Sequence, residues 1–389
     1  MANSASYVFI GDKECRKNPI YRDIRTALDL NSEFNEIISS GPKDAFVDRR
    51  VLVESTQIAQ EHPFCRIDLV KGLDGKFWVA EIEVDKIHGF GYATLCRELS
   101  KHPIGVGLIN RLVEISQSNV TGIVLFDHER FYIPELNFFV DRVNRAGGHL
   151  VSLNYDDFEI STEGLFKLNL LGLRLVALEQ LVSIPMFKSK DLDKVREKRI
   201  LEQHTLGNVR VLSMPFRALG EKTTLAMLHN ISGNLGLEAL LDTCFGNEAK
   251  EVLRSFIPQT EFLGIANRDR KLQVAELIRS NPFAFFVKVK DESGARGIAE
   301  PGNLKRQLEL VLGQDSKRVI VQRAIQPEII KLAFCDLLSG EIGEGEFTVR
   351  YSLFVSGNGE ILDMSLTASP GIVAHGGTES IQLGTKLEL

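Results

Sequence analysis

Apolar and polar positions change their rhythm several times along this chain. Residues 1–60 mix the two with a helical flavour, clearest in IYRDIRTALDLNSEFNEIIS, and predict a helical N-terminal segment. The next stretch, CRIDLVKGLDGKFWVAEIEVD, alternates in RIDLV and again in FWVAEIEV. The turn residues Gly72-Leu73-Asp74-Gly75 lie between, so a β-hairpin is expected. Residues 90–118 read as helical. TGIVLFD then reads as a buried strand, IPELNFFVDRVNRAGG as a helix stopped by Gly147-Gly148, and HLVSLNY as a second strand. Strand, helix and strand at this spacing form a βαβ unit and so part of a parallel sheet.

Residues 165–182, LFKLNLLGLRLVALEQLV, are expected to be helical. VRVLSMP reads as a strand and GEKTTLAMLHNISGNLG as a helix after a short loop. From about residue 280 the texture changes. AFFVKVK is a strand, DESGARGI a polar turn, NLKRQLELVLG a helix and RVIVQRAI a strand. EFTVRYSLFVSGNGEILDMSLTAS is two alternating strands about Gly357-Asn358-Gly359. The expected fold class is therefore mixed α/β and α+β.

Composition narrows the function classes. The chain has 389 residues, with 44% hydrophobic and 25% charged positions, as in a globular protein with a large core. A formal net charge of -6 gives no basic footprint for nucleic acid. The five cysteines, Cys15, Cys65, Cys96, Cys244 and Cys335, are scattered without CxxC spacing, which argues against a disulfide framework or zinc cluster. No apolar run has the length and purity of a secretory or membrane-spanning segment, so the expectation is a cytoplasmic protein without a membrane partner.

Candidate chemistry begins in the hairpin. Residues two apart on a strand share a face, so Arg66 and Asp68 point together, as do Glu81 and Glu83 on the partner strand. Pairing about the 72–75 turn would bring three carboxylates and one guanidinium together. Such carboxylates repel unless a cation sits among them, and oxygen ligands suit Mg2+. The competing reading is a solvated hairpin face with ordinary cross-strand ion pairs. In FFVKVKDESGARGI, Lys288 precedes a loop with Gly294, Arg296 and Gly297, an arrangement that can bring backbone N–H groups to phosphates. It is not a GxxxxGK[ST] loop, and a strand-end lysine is also an ordinary structural residue. Lys222 heads a helix, and Gln322 lies in an apolar strand that ends near Pro327. Each has a plain structural reading as well: a solvated first-turn lysine and a core strand. His375, among glycines in PGIVAHGGTES, is a loop histidine or a site residue.

The order of these pieces resembles the ATP-grasp superfamily, specifically the circularly permuted branch that includes the synthetase domain of glutathionylspermidine synthetase. That branch has an R-x-D strand and then E-x-N on its partner, here Arg66-Ile-Asp68 and Glu81-Ile-Glu83. A βαβ unit follows, then a lysine at a helix start, here Gly220-Glu221-Lys222. A strand and glycine loop come next, here Val287-Lys288-Val289 with Gly294, Arg296, Gly297 and Ile298. The hinge strand is Val321-Gln322-Arg323-Ala324-Ile325. Glu83 departs from the usual Asn, Val289 from the usual Pro, and Ala295 from a usual glycine.

The resemblance implies a circularly permuted ATP-grasp-like fold with a βαβ pre-ATP-grasp-type domain. Residues 1–120 would hold the N-terminal helical segment and metal-binding hairpin, 121–205 the βαβ domain, and 206–389 the nucleotide-binding subdomains. It implies an ATP-dependent carboxylate–amine ligase working through an acyl phosphate, with ATP and Mg2+ as cofactors. Its substrates would be a small-molecule or peptide carboxylate and an amine. Asp68, Glu81 and Glu83 would hold the metal, and Lys222, Lys288, Gly294, Arg296, Gly297 and Gln322 the nucleotide. Arg66 would serve the transferred phosphoryl group, and Arg350, on the strand after the hinge, would either face the same cleft or be a surface strand arginine. The alternatives are an ATP-grasp-type kinase and a catalytically impaired nucleotide-binding or regulatory protein.

Overall fold

The computed structural model describes residues 7–10, 64–84, 87–100, 105–124, 132–154, 156–182, 191–212, 221–229, 235–264, 266–290, 297–335, 342–357, 359–371 and 381–385. The helical reading of residues 1–60 lies outside these, except that Tyr7–Ile10 is a strand, β1. His375 also lies outside the described residues.

The hairpin is β2 (Cys65–Lys71) and β3 (Phe77–Glu83), closed by a turn in which Gly75 has φ +77°. A side chain would be strained there. Helices α1 (Phe90–Leu99) and α2 (Leu108–Ser116) follow. Next come β4 (Thr121–Val124), α3 (Ile133–Arg145) and β5 (Leu150–Leu153), with β4 and β5 parallel.

Residues 165–182 depart from the helical expectation. They contribute to a meander of β6 (Phe158–Ser161), β7 (Gly164–Leu168) and β8 (Arg174–Leu178), and then to β9 (Gln180–Leu181). The reason is local. Asn169 Oδ1 accepts from the backbone N–H groups of Leu171 and Leu173, both at 3.0 Å, and Gly172 takes φ +76°. This side-chain turn competes with the helix for the same backbone donors. The leucine spacing fits either periodicity, and the turn residues decide.

Helix α4 (Asp191–Thr205) leads to β10 (Arg210–Val211), which pairs with β9 in the parallel sheet. Helices α5 (Thr223–His229) and α6 (Leu235–Phe256) precede a four-stranded sheet. It is built from β11 (Thr260–Phe262), β12 (Phe285–Val289), β13 (Ile298–Ala299) and β14 (Val319–Arg323). Helices α7 (Arg268–Ser280) and α8 (Leu304–Leu312) belong to this unit, each capped by an asparagine side chain, Asn267 or Asn303. The chain ends its described course in β15 (Ile329–Cys335), β16 (Ile342–Val355), β17 (Ile361–Ser369) and β18 (Ile381–Thr385).

Among the described residues the main sheet runs β1-β18-β17-β16-β2-β3, with β15 also paired to β16. Its two faces differ in kind. One buries Ile67, Leu69, Leu353, Met364 and Leu366 together with Leu225 and Ile257 beside α5 and α6. The other carries Arg66, Asp68, Arg350, Ser352, Ser365 and Thr367 at paired positions on β2, β16 and β17. The hairpin tip is tied to the segment leaving β14. Leu73 N donates to Gln326 O at 3.0 Å, and Glu328 N donates to Lys71 O at 2.8 Å. These bonds fasten the hairpin tip to the segment that joins the four-stranded sheet to β15 of the main sheet.

Asp363 on β17 is buried and accepts a hydrogen bond from Leu108 N, the first residue of α2, at 3.3 Å. Burial pushes its carboxyl up to about 7, against the pull of Arg97. The folded protein therefore keeps a proton that the unfolded chain releases near the ordinary carboxylate range. Stability from this group is present at low pH and is lost as pH rises toward 7, by at most about 1.4 kcal/mol per pH unit. Asp363→Asn keeps an acceptor oxygen for Leu108 and should flatten that part of the profile. Urea unfolding at pH 5, 6, 7 and 8 checks it.

Candidate functional site

The site starts from an irregularity in the hairpin. Arg66 pairs with Glu83 and Asp68 with Glu81, but Leu69 pairs with Val79, which leaves Ala80 as an extra residue on β3. Strict alternation would put Phe77, Val79, Glu81 and Glu83 on one face. The bulge switches the parity. Phe77 and Val79 enter the core beside Ile67 and Leu69, while Glu81 and Glu83 turn to the side of Asp68 and Arg66. One oxygen from each of Asp68, Glu81 and Glu83 lies within 4.8 Å of the others.

Each carboxylate has a different electrostatic setting. Arg66 Nε and Nη2 grip Asp68 Oδ1 and Oδ2 at 2.8 and 2.9 Å, and Arg350 Nη1 stands 3.6 Å from Oδ2. Burial alone would raise the Asp68 carboxyl, but the two guanidinium groups outweigh it and hold it at about 2. Glu81 Oε1 meets Lys222 Nζ at 2.9 Å, and this ammonium holds Glu81 below its ordinary range despite burial. Glu83 Oε2 is 2.9 Å from Arg66 Nη2 but accepts no hydrogen bond among the described residues. Burial raises it to about 7, with Glu81 and Asp68 adding repulsion.

Two lysines come from other elements. Lys222 directly precedes α5. Its backbone N–H donates to Lys290 O at 3.1 Å, and Lys290 Nζ pairs with Glu221 at 2.7 Å. The helix start is thereby fixed to the end of β12. Lys288 lies on β12, between Val287 and Val289, which enter the core of the four-stranded sheet. Burial lowers its ammonium to about 8. Lys288 Nζ donates to Gln322 Oε1 at 2.7 Å, and Gln322 Nε2 donates to Thr260 Oγ1 at 3.0 Å. Both ends of the Gln322 amide are therefore engaged within the protein.

The fold thus brings together Arg66, Asp68, Glu81, Glu83, Arg350, Lys222 and Lys288, with Gln322 behind the last. Gly297 is buried, and its carbonyl accepts from Val289 N at 2.8 Å. Gly294 and Arg296 lie outside the described residues. Sequence reasoning missed Tyr132, whose half-buried phenol lies in the field of Arg66, Glu83 and Arg350, and which desolvation raises above its ordinary range. It enters from the start of α3, and no local motif marks it.

A cluster of one buried and two half-buried carboxylates facing buried ammonium groups can hold a divalent cation beside a chain of phosphates. Oxygen ligands suit Mg2+, and the lysines would neutralise phosphate charge.

No family model matches this chain, and no curated protein matches it in sequence. Its fold is similar to that of a glutathione synthetase-like effector from Globodera pallida, at TM-score 0.54 and 11% identity, over 99% of this chain and 90% of the other. A candidate γ-glutamylcysteine synthetase from Methylobacillus flagellatus matches at TM-score 0.43 and 10% identity, over 97% of this chain and 87% of the other. D-alanyl-alanine synthetase A from Vibrio cholerae matches at TM-score 0.31 and 12% identity, over 63% and 88%. The first likeness is one of fold, and the other two are too distant to add to it. No helix among the described residues is long and apolar enough to cross a membrane.

Asp68→Asn removes one negative neighbour from Glu83 and frees Arg66 to pair with it more fully. Both effects favour the charged form, so the Glu83 midpoint should fall below its value of about 7. Carboxyl carbon NMR titration reads the shift directly.

Proposed function

We propose that this chain is an ATP-dependent carboxylate–amine ligase of the circularly permuted ATP-grasp kind, joining a small-molecule or peptide carboxylate to an amine. The observation that carries the reading is the meeting of Asp68, Glu81 and Glu83, within 4.8 Å of one another, with Lys222 on the edge of the same cluster. The glutathione synthetase-like fold supports it. ATP, when bound, supplies the phosphoryl group that turns a carboxylate into an acyl phosphate, and Mg2+ supplies charge neutralisation at the terminal phosphates.

The chain's own residues divide the remaining work. Asp68 and Glu81 are held ionised by their cationic partners and serve as standing metal ligands. Glu83 completes the set by giving up its proton when a cation arrives. Lys222 and Lys288 neutralise the upstream phosphates, whose negative charge favours the protonated form of the buried Lys288 ammonium. Gln322 acts through Lys288, whose ammonium it holds in place. Arg66 spends its planar fork on Asp68 and holds that ligand in place beside the transferred phosphoryl group, and Arg350 flanks it. Cys65 and Cys96 are buried thiols that desolvation pushes up to about 12, so neither is a reactive nucleophile.

A thermal-shift series with ATP, Mg2+ and both tests the shared site. Stabilisation by the pair should exceed the sum of the separate effects, since each ligand binds only the folded state. Additive or absent shifts would sink the reading. In ADP-release assays over panels of acids and amines, Asp68→Asn or Glu81→Gln should slow turnover by about 100-fold or more. Formation of ADP with a hydroxyl acceptor and no amine would indicate a kinase instead.

Calorimetry provides two further checks. Lys288→Ala should weaken nucleotide affinity by about tenfold, or ~1.4 kcal/mol. Metal–nucleotide binding should also weaken as pH falls through 7, the region where Glu83 holds a proton, and should release that proton. Runs in buffers of different ionisation enthalpy count the proton. Binding without proton release at pH 6 would remove Glu83 from the ligand set.

A further inference from the structure

The first turn of α3, in the parallel unit, reaches into the hairpin site. Glu135 lies there, buried, and faces the start of α1 rather than solvent. Its Oε1 accepts from Gly89 N at 3.1 Å, and its Oε2 accepts from Gly91 N. Helix α1 has no side-chain cap of its own, because its N-cap residue is Gly89. Buried N–H groups at a helix start need acceptors, and a carboxylate there also meets the positive end of the helix dipole. Glu135 supplies both from a different part of the chain.

The approach is close. A Cβ on Gly91 would lie 2.0 Å from the backbone oxygen of Glu135, and Gly89 takes φ +93°. The preceding residue is held from the same turn of α3. The His88 ring stacks on Tyr132 with centroids 4.5 Å apart and planes 13° from parallel. The His88 carbonyl accepts from Arg66 Nη1 at 2.8 Å. Arg66 is thus gripped on one side by Asp68 and Glu83 and on the other by a carbonyl whose position is set by α3.

We infer that Glu135 is a positioning residue for Arg66. Through Gly89, Gly91 and His88 it sets the angle of the guanidinium over the carboxylate cluster, so the parallel unit takes part in aligning the phosphoryl group. This rests on the ligase reading for its catalytic consequence, but not for its geometry.

Glu135→Ala and Glu135→Gln test it in the full chain. Glu135→Ala should lower kcat by about 100-fold, the scale of a small misplacement at a reacting centre, with the KM for ATP within about threefold. Glu135→Gln keeps one acceptor oxygen and should fall between Glu135→Ala and wild type. The Arg66 Nε–H resonance, assigned by its loss in Arg66→Lys, should shift in Glu135→Ala and shift less in Glu135→Gln. A folded variant with wild-type kcat, or with kcat and KM for ATP changing together, overturns the inference. An unmoved Arg66 resonance also overturns it. If Glu135→Ala does not fold, Glu135→Gln decides by the same two readouts. If wild type forms no ADP with any acid and amine, the ligase reading fails alone, and the resonance still decides the role of Glu135.

Discussion

Three carboxylates cannot crowd into one small volume of a protein without positive charge around them, and most of this structure serves that requirement. Asp68 has two guanidinium partners and Glu81 has an ammonium, so both stay ionised. Glu83 has Arg66, which it shares with Asp68, and remains near neutrality at about 7. The imbalance is informative. A cluster satisfied by its own cations would be a closed ion-pair network. This one leaves Glu83 Oε2 without a hydrogen bond among the described residues, and burial raises the Glu83 carboxyl and lowers the Lys288 ammonium.

The positive groups come from distant parts of the chain, and the scaffold explains how they converge. Arg66 belongs to the hairpin, Arg350 to its neighbour β16, Lys222 to the start of α5 and Lys288 to the four-stranded sheet. Backbone bonds between the hairpin tip and residues 326–328 tie the hairpin to the segment that connects the two sheets. The bond from Lys222 N to Lys290 O fixes one lysine relative to the strand that carries the other. The bulge at Ala80 lets β3 bury its aromatic half on one face and present its acidic half on the other.

Neighbouring polar groups act mainly on the charged ones. Gln322 spends both ends of its amide on Lys288 and Thr260, a satisfied buried network that fixes the ammonium. Glu135 spends both oxygens on the start of α1. Each limits how far a charged side chain of the cluster can move. Rotamer freedom left in a long lysine or arginine is a direct loss of alignment.

By itself the sequence determined the features that depend on short-range spacing. The hairpin was legible because Gly72–Gly75 sits between two alternating runs, and the four charged residues were legible because their spacing of two puts them together in pairs. The strand bearing Lys288 and the parallel β4–α3–β5 unit were legible for similar reasons. Residues 165–182 were not, because leucines at mixed spacing satisfy two periodicities and only the turn at Asn169 breaks the tie. Tertiary structure alone decided the parity switch at Ala80, the capture of Glu81 by Lys222, the engagement of Gln322 and the reach of Tyr132 and Glu135 into the site. Periodicity reports which way a side chain points within its own element, whereas these contacts join residues tens to more than a hundred positions apart, and their geometry exists only once the sheets and helices have packed.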